Sequence, residues 1–175
     1  MKKNVLIFGL LAGFIVSTFM VVSMIKCYQS KDFEGSMVLG FSAMIIAFST
    51  IFIAIKNYRD NYNGGLISFK RAFNMGILIT LLASTLYVVT WLVVYYNFLP
   101  NFMELMTADS IAKIEANKAL SSSEVNEQIA SLKKMNDLYE NPAIVVAFTY
   151  IEIFPVGLII TLLSSLILKS NSVKR

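Results

Sequence analysis

The residue best placed to do chemistry is Glu152, which lies inside an otherwise apolar stretch of the chain. Pro155 and Gly157 follow it closely. A proline within a helix removes one backbone N–H and frees the carbonyl one turn earlier, here that of Ile151. An acid beside such a spare acceptor is typical of proton relays and ion sites in membrane transporters. One hypothesis is therefore a proton or ion site at Glu152.

A structural role for Glu152 is the competing hypothesis. An ionised acid at the centre of a membrane helix costs about 2.5–3.5 kcal/mol on insertion scales. Because no Lys or Arg lies within the apolar stretches, we expect a protonated side chain that hydrogen-bonds to a neighbouring helix, for example at Tyr87 or Thr90. At about 100° per residue, Glu152 shares its face with apolar residues and Gly157 points elsewhere, which counts against a polar channel.

The elements that position Glu152 follow from composition. Apolar residues make up 57% of the 175 residues and charged residues only 15%, against about 25% charged in an ordinary soluble domain. A membrane-spanning helix needs about 20 mostly apolar residues. Four stretches meet this requirement, at residues 4–25, 37–55, 72–96 and 143–168. We predict an all-α fold, a four-helix transmembrane bundle forming a single integral membrane domain over residues 1–175.

Two residue counts exclude much catalytic chemistry. The chain has one Cys and no His, so it forms no internal disulfide, no His-containing triad and no His-ligated zinc or haem site. It also lacks the glycine-rich phosphate-binding motifs. We therefore expect no enzyme, no cofactor and no metal.

The distribution of the +4 net charge predicts how the chain crosses the bilayer. Basic residues dominate the N-terminus, the 56–71 loop and the tail, whereas the 26–36 loop is neutral and the 97–142 segment is acidic. The positive-inside rule then places both termini in the cytoplasm. The basic residues contact the anionic lipid bilayer, and no nucleic-acid partner is expected. The first apolar run is too long for a cleaved signal peptide.

Residues 97–142 form the only sizeable segment outside the spans. Ser121 and Glu124 make a capping box, and Val125, Ile129, Leu132, Met135 and Tyr139 recur at helical spacing after it. A second helix over 103–120 completes an extracytoplasmic helical hairpin. So short a segment cannot bury much of a core alone. It is either a cap on the bundle or a docking surface for an envelope protein partner.

Small residues recur at four-residue spacing in several spans. The first span has Gly9, Gly13 and Ser17, and the third has Gly76, Thr80 and Ser84. Such stripes let helix backbones approach closely in lipid. They predict helix packing within the bundle or, alternatively, a homo-oligomer contact.

The loop between the second and third spans holds a second group of candidate functional residues: Tyr58, Arg59, Asp60, Gly64 and Gly65. Asn63-Gly64 is a turn signal and Ser68 is a suitable helix cap. The loop is either a tight interhelical turn or a cytoplasmic docking element.

Aromatic residues and the single cysteine are predicted to lie at the membrane interface. Trp91, Tyr95 and Tyr96 cluster at one end of the third span, as interface anchors do; a ligand cage is the alternative. Cys27 is interpreted as a small interfacial residue, since a redox role lacks a second thiol.

Taken together, the loop and the fourth span resemble a known family. The matching residues are Tyr58-Arg59-Asp60, Gly64-Gly65, Ile67-Ser68-Phe69, Ala72-Phe73, Gly76, Trp91, Asn141-Pro142, Glu152 and Pro155-Val156-Gly157. The chain is similar to short bacterial inner-membrane proteins known only as a domain of unknown function. The resemblance implies four spans and a bacterial inner-membrane location, and it implies no activity or substrate.

Two functions remain open from the sequence. The first is a non-enzymatic inner-membrane protein that acts by packing against itself or membrane and envelope partners. The alternative is a proton-linked small transporter or channel subunit that uses Glu152.

Overall fold

The structure is a computed structural model that describes residues 1–31 and 36–170. Within those residues the chain forms helices and no strand, which confirms the all-α fold class. The helices are α1 (Lys2–Ser30), α2 (Ser36–Tyr62), α3 (Phe69–Phe98), α4 (Phe102–Ala116), α5 (Ser122–Tyr139) and α6 (Pro142–Leu168). Part of the charge pattern used above, at Asp32, Glu34, Lys174 and Arg175, lies outside the described residues.

Four of these helices, α1, α2, α3 and α6, are long and apolar enough to cross a membrane, as predicted. Each is longer than its apolar segment; α2, for example, continues past Ile55 to Tyr62. The additional turns carry polar and basic residues because a helix can extend beyond the hydrocarbon into the headgroup layer.

The four long helices form a bundle with a defined neighbour order. Both α1 and α6 pack against α2 and α3, so the order around the bundle is α1, α3, α6, α2. Because the chain reverses direction at each connection, both termini lie at one end, here called the termini end. The α4–α5 hairpin lies at the other, here called the hairpin end.

Helix starts were well predicted because caps depend on local sequence. The side chains of Ser68 and Asn141 each accept a hydrogen bond from an amide of the first turn that follows, and Pro142 occupies the first turn of α6. The Ser121 hydroxyl accepts from the Glu124 amide at 3.4 Å. The Ser121 amide donates to the Glu124 carboxylate at 2.8 Å. The predicted capping box is therefore confirmed.

The termini end is held together by polar contacts between distant parts of the chain. The Ser170 amide donates to the Ile67 carbonyl at 2.9 Å, and the Ile67 amide donates to the Ser170 hydroxyl at 2.9 Å. The Asn4 amide group donates to Asn57 at 3.2 Å. These contacts join the end of α6 to the α2–α3 turn and the start of α1 to α2.

The hairpin covers the opposite end of the bundle. Phe102 and Met103 of α4 are each only 6% exposed, and the Tyr28 hydroxyl of α1 donates to the Pro100 carbonyl at 2.9 Å. The predicted stripe on α5 is half-buried except at Met135, which is 43% exposed. Of the two predicted roles, the structure shows the cap; the polar face of α5 remains exposed.

Candidate functional site

Glu152 lines a cavity in the hairpin half of the bundle, and part of its side chain is exposed at the bundle surface. The largest part of this cavity, here called the main chamber, has a volume of ≈ 160 Å³. Its wall comes from five of the six helices. The lining residues are Met20, Met24, Cys27, Tyr87, Trp91, Phe102, Met106, Tyr139, Thr149 and Glu152.

A smaller side chamber of ≈ 80 Å³ adjoins it between α1 and α2. The two chambers share four residues: Met20, Met24, Tyr87 and Glu152. The side chamber is otherwise lined by Val16, Phe19, Ser23, Gly40, Phe41 and Met44. Because Phe41 is 44% exposed on the bundle surface, the side chamber reaches the lipid-facing surface between α1 and α2. Glu152 therefore stands where the two chambers meet.

The helix geometry places this carboxyl near the middle of the length of α6. Glu152 follows the start of α6 at Pro142 by ten residues, which is about 15 Å at 1.5 Å per residue. That distance is about half of the 30 Å hydrocarbon thickness. Asn141 fixes the start of the helix through its bond to the Ala143 amide at 3.0 Å, and this start sets the depth of Glu152.

The predicted hydrogen bond from Tyr87 or Thr90 to Glu152 is wrong. Thr90 donates instead to the Leu86 carbonyl at 2.8 Å, because a threonine within a helix readily bonds the carbonyl one turn back. Tyr87 is 6% exposed and lines both chambers with Glu152. The described residues show no hydrogen bond or ion pair between Glu152 and any other side chain. The carboxyl lines the cavity.

Tyr139 closes the main chamber from the hairpin. Burial raises the pKa of the Tyr139 hydroxyl, and the charges of Glu152 and Tyr95 raise it further. The phenol therefore stays neutral over the physiological range. It supplies a donor at the rim of the chamber that Glu152 lines.

Two interface predictions need correction at this chamber. Trp91 is 8% exposed, and its ring packs edge-on against Phe102 with ring centroids 5.6 Å apart. It therefore lines the cavity under the hairpin and is not a lipid-facing anchor; Tyr96, at 51% exposure, is the residue positioned for that role. Cys27 is also part of the chamber wall, so it is not simply an interfacial residue.

Pro155 and Gly157 do not join Glu152 in the cavity. Pro155 is exposed, as is Ile151 at 67%, and neither lines a chamber. Gly157 is buried on the face that meets α3. The hypothesis of one site combining acid, proline and glycine is therefore wrong in its geometry. At about 100° per residue Gly157 lies about 140° around the helix from Glu152, and Pro155, although only about 60° away, lines neither chamber.

Gly157 belongs to a close crossing between α3 and α6. A Cβ at Gly157 would lie 2.4 Å from Cγ2 of Thr80, and one at Gly76 would lie 2.5 Å from Cγ2 of Thr161. The two threonine hydroxyls are 3.2 Å apart and hydrogen-bonded. Each helix thus presents a glycine and, four residues later, a threonine. We call these four residues the glycine–threonine crossing.

Gly9 and Gly13 mark a second close contact, between α1 and α3. A Cβ at Gly9 would lie 2.7 Å from Leu82, and one at Gly13 would lie 2.9 Å from Leu86. Ser17 is buried on the same side of α1. The stripe therefore packs within one chain, as the first of the two predictions states.

The loop residues lie at the termini end and do not approach the cavity. Gly64 and Gly65 have φ values of 64° and 78°, a left-handed conformation that glycine adopts without strain. Arg59 pairs with Asp60 at 2.6 Å, and Tyr58 lies one turn before Tyr62. The structure shows an ordered interhelical turn here, as predicted.

The methionines and Cys27 were missed as parts of a site. Met20, Met24 and Cys27 recur at helical spacing on one face of α1, and that spacing was the available signal. No group of three or more Cys, Asp or Glu residues is close enough to hold a metal within the described part of the chain. The chemistry offered by the cavity is that of one carboxyl, two phenols and a wall of aromatic rings and sulfur atoms.

Comparison with known proteins gives a family but no activity. Residues 7–170 match the model of a protein family described as "Protein of unknown function (DUF4199)". The chain belongs to the DUF4199 family. No curated protein and no solved structure matched it. The match extends over the four membrane-type helices, except the first residues of α1, and over the hairpin. The four apolar helices indicate a multi-pass membrane protein.

Proposed function

We propose that this DUF4199 protein is a small non-enzymatic transporter or channel subunit in which Glu152 exchanges a proton or another cation inside the bundle. The observation that carries the proposal is the position of Glu152 at the junction of two chambers. The carboxyl has open space before it and no hydrogen-bond partner among the described residues. A carboxyl kept only to fix helix register would instead be bonded to a neighbouring helix.

The energetic cost of this position supports a functional role. An ionised acid at the centre of a membrane helix costs about 2.5–3.5 kcal/mol, and here no basic side chain lines either chamber. A proton, a cation or water in the chamber has to offset that cost. The main chamber is large enough for water, because one water molecule needs only about 10–15 Å³ of cavity volume and a few polar partners. Tyr87, Tyr139 and Thr149 are polar groups lining the same chamber.

Infrared difference spectra recorded over a pH series test whether Glu152 exchanges its proton. We expect the full-length protein in lipid nanodiscs to show a protonated-carboxyl band that disappears as pH rises, and we expect Glu152→Gln to lack it. Glu115→Gln is the matched control because Glu115 is exposed on α4. A band that is unchanged in Glu152→Gln, or that does not titrate, would overturn the proposal.

Glu152→Leu separates a functional from a structural carboxyl. Since the wild-type carboxyl has no hydrogen-bond partner among the residues that the structure describes, we expect Leu to leave the free energy of unfolding unchanged or to raise it by up to about 3 kcal/mol, the cost it removes. Unfolding of the purified variant in mixed micelles measures this. If Leu lowers stability while Gln is neutral, Glu152 is a structural residue.

We also propose a location in a bacterial inner membrane with both termini in the cytoplasm. Support comes from the basic residues at the termini end, including Lys2, Lys3, Lys70 and Arg71, and from the acidic balance of the hairpin segment. Single cysteines introduced at residue 61 and residue 127, both exposed, in a Cys27→Ser background test the orientation. We expect an impermeant thiol reagent applied to intact cells to label residue 127 only; the reverse labelling would refute it.

Association with a second copy or with an envelope protein is a separate proposal. The glycine stripe of α1 is occupied by α3 within one chain, so it does not supply the contact. The exposed polar face of α5 is the surface available to an envelope partner. Cross-linking from that face in whole cells tests for such a partner.

A further inference from the structure

The composition of the cavity wall narrows the kind of ligand that Glu152 would hold. Four aromatic rings face the main chamber, those of Tyr87, Trp91, Phe102 and Tyr139. Three methionine side chains, Met20, Met24 and Met106, complete most of the remaining wall. Within the described part of the chain, Glu152 is the only acidic residue that lines the chambers, and no Lys or Arg lines either of them. The chamber is thus apolar and polarisable, with one negative group.

This combination favours an organic ammonium ion over other cations. The faces of Trp and Tyr rings attract ammonium groups by their electrostatic quadrupole, and more strongly where water is excluded. Methionine side chains are flexible and polarisable, and they adapt to apolar substituents. A hard metal ion such as Ca²⁺ takes six or more oxygen ligands, which this wall does not supply.

The side chamber gives such a ligand room for an apolar tail. It meets the main chamber at Glu152 and Tyr87. From there it runs between α1 and α2 past Phe19 and Met44 to Phe41, which is exposed at the bundle surface. An amphiphilic molecule dissolved in the bilayer can therefore enter from the side, with its charged head at the carboxyl.

We propose that the two chambers bind an amphiphilic organic ammonium ion, its head between Glu152 and the aromatic wall and its apolar tail in the side chamber. This inference rests on the proposed function, because it names the cation that would exchange with the proton on Glu152. The ammonium ion and the proton then compete for one carboxyl.

Trp91 makes the proposal directly measurable. It is the only tryptophan in the chain and it lies in the main chamber wall, so its fluorescence reports on that chamber alone. Full-length protein in nanodiscs is titrated with butyltrimethylammonium and, separately, with the neutral isostere in which a tert-butyl group replaces the trimethylammonium. We expect saturable quenching by the ammonium ion and none by the isostere.

Glu152→Gln and pH provide two independent checks. We expect Glu152→Gln to weaken ammonium binding by about tenfold or more, and the control Glu115→Gln to leave it unchanged. Lowering the pH is expected to weaken ammonium binding to the wild type, and this check does not depend on a variant that folds. The titratable groups lining the cavity with Glu152 are Cys27 from α1, Tyr87 from α3 and Tyr139 from α5; the lining residues of α2 and α4 include none. Of the side-chain types in this set, only a carboxyl has an ordinary pKa below neutral pH, so a loss of binding on acidification points to Glu152.

Three results would overturn the inference. Equal quenching by the isostere would show a merely apolar pocket, and an unchanged affinity in Glu152→Gln would show that the carboxyl is not the partner. Quenching by Ag⁺ that is lost in Cys27→Ser, with no response to the ammonium ion, would show a soft-metal site of thioethers and a thiol. If no ammonium binding is detected while the infrared band of Glu152 still titrates, the proposed proton exchange is supported and only the assignment of an organic ammonium ligand is wrong.

Discussion

The two halves of the bundle are built on opposite packing principles. In the termini half, Ala72, Met75, Ile79 and Thr80 of α3 are fully buried, and the glycine–threonine crossing brings α3 and α6 close together. In the hairpin half the two chambers lie between the helices, and large aromatic and methionine side chains line them. The chain therefore places a tightly packed half beside a half with open space.

The difference between the two halves shows how a small membrane protein can contain a cavity and remain folded. In lipid, apolar surface gains little from being buried against another helix, so close packing and interhelical hydrogen bonds supply most of the association energy. The termini half provides both at the glycine–threonine crossing. With the helices fixed there, the hairpin half can leave Glu152 facing empty space, and α4 covers the opening.

The largest expected effect comes from breaking the close packing of the termini half. Gly157→Ala would place a methyl group 2.4 Å from Cγ2 of Thr80, and a buried β-branched side chain has little freedom to move away. We expect a loss of about 1–3 kcal/mol in the free energy of unfolding, the usual cost of overpacking. Unfolding in mixed micelles measures it.

Gly40→Ala is the matched control in the hairpin half. A Cβ at Gly40 meets nothing within 4 Å, because this residue lines the side chamber. We expect its stability to be within about 0.5 kcal/mol of the wild type, as for substitutions away from packed features. Equal losses at Gly40 and Gly157 would mean that the two halves do not differ in packing.

The sequence predicted where the helices lie along the chain better than it predicted which side of each helix points into the bundle. Span positions, the caps at Ser68, Ser121 and Asn141, and the turn at Gly64 depend on local composition and were correct. Which side of a membrane helix looks inward is not marked by hydropathy when the helix is apolar all round. For that reason Trp91 and Cys27 were assigned to the interface although they line the cavity.

The same limit explains the error at Glu152. Small residues did mark packed faces, and the stripe at Gly76 and Thr80 was read correctly as a packing surface. Its partner stripe, Gly157 and Thr161, was visible in the sequence, but Gly157 was grouped with the candidate site because it follows Glu152 closely along the chain. An open chamber leaves no periodic signal in the sequence, because its wall is assembled from helices in five parts of the chain.

A smaller effect is expected from the hydrogen bond within the glycine–threonine crossing. Thr80→Val and Thr161→Val each remove one hydroxyl of the 3.2 Å pair while keeping nearly the same shape. A double-mutant cycle is expected to give a coupling of about 0.6 kcal/mol, the average for hydrogen bonds between membrane helices. Strictly additive losses would show that steric fit alone holds α3 against α6, which would sharpen the contrast with the open half.

The smallest expected effect is the pH response of the α4–α5 hairpin, which covers the hairpin half. Hydrogen bonds from the Ser121 hydroxyl and amide lower the pKa of the Glu124 carboxyl below its ordinary value. A lowered folded-state pKa contributes stability that is present above the unfolded pKa and is lost as pH falls through the folded pKa. Mild acid should therefore loosen the start of α5, whereas the glycine–threonine crossing contains no titratable group and should not respond.

Amide hydrogen exchange, corrected for the intrinsic effect of pH, distinguishes the two halves in this respect. We expect protection at residues 125–128 to decrease as pH falls through the range in which Glu124 takes up its proton, and protection near Thr80 to stay constant. Glu124→Gln removes the titrating group and should remove the pH dependence at the start of α5. A pH profile that persists in Glu124→Gln would mean that another group, and not the capping box, controls how firmly this end of the hairpin is closed.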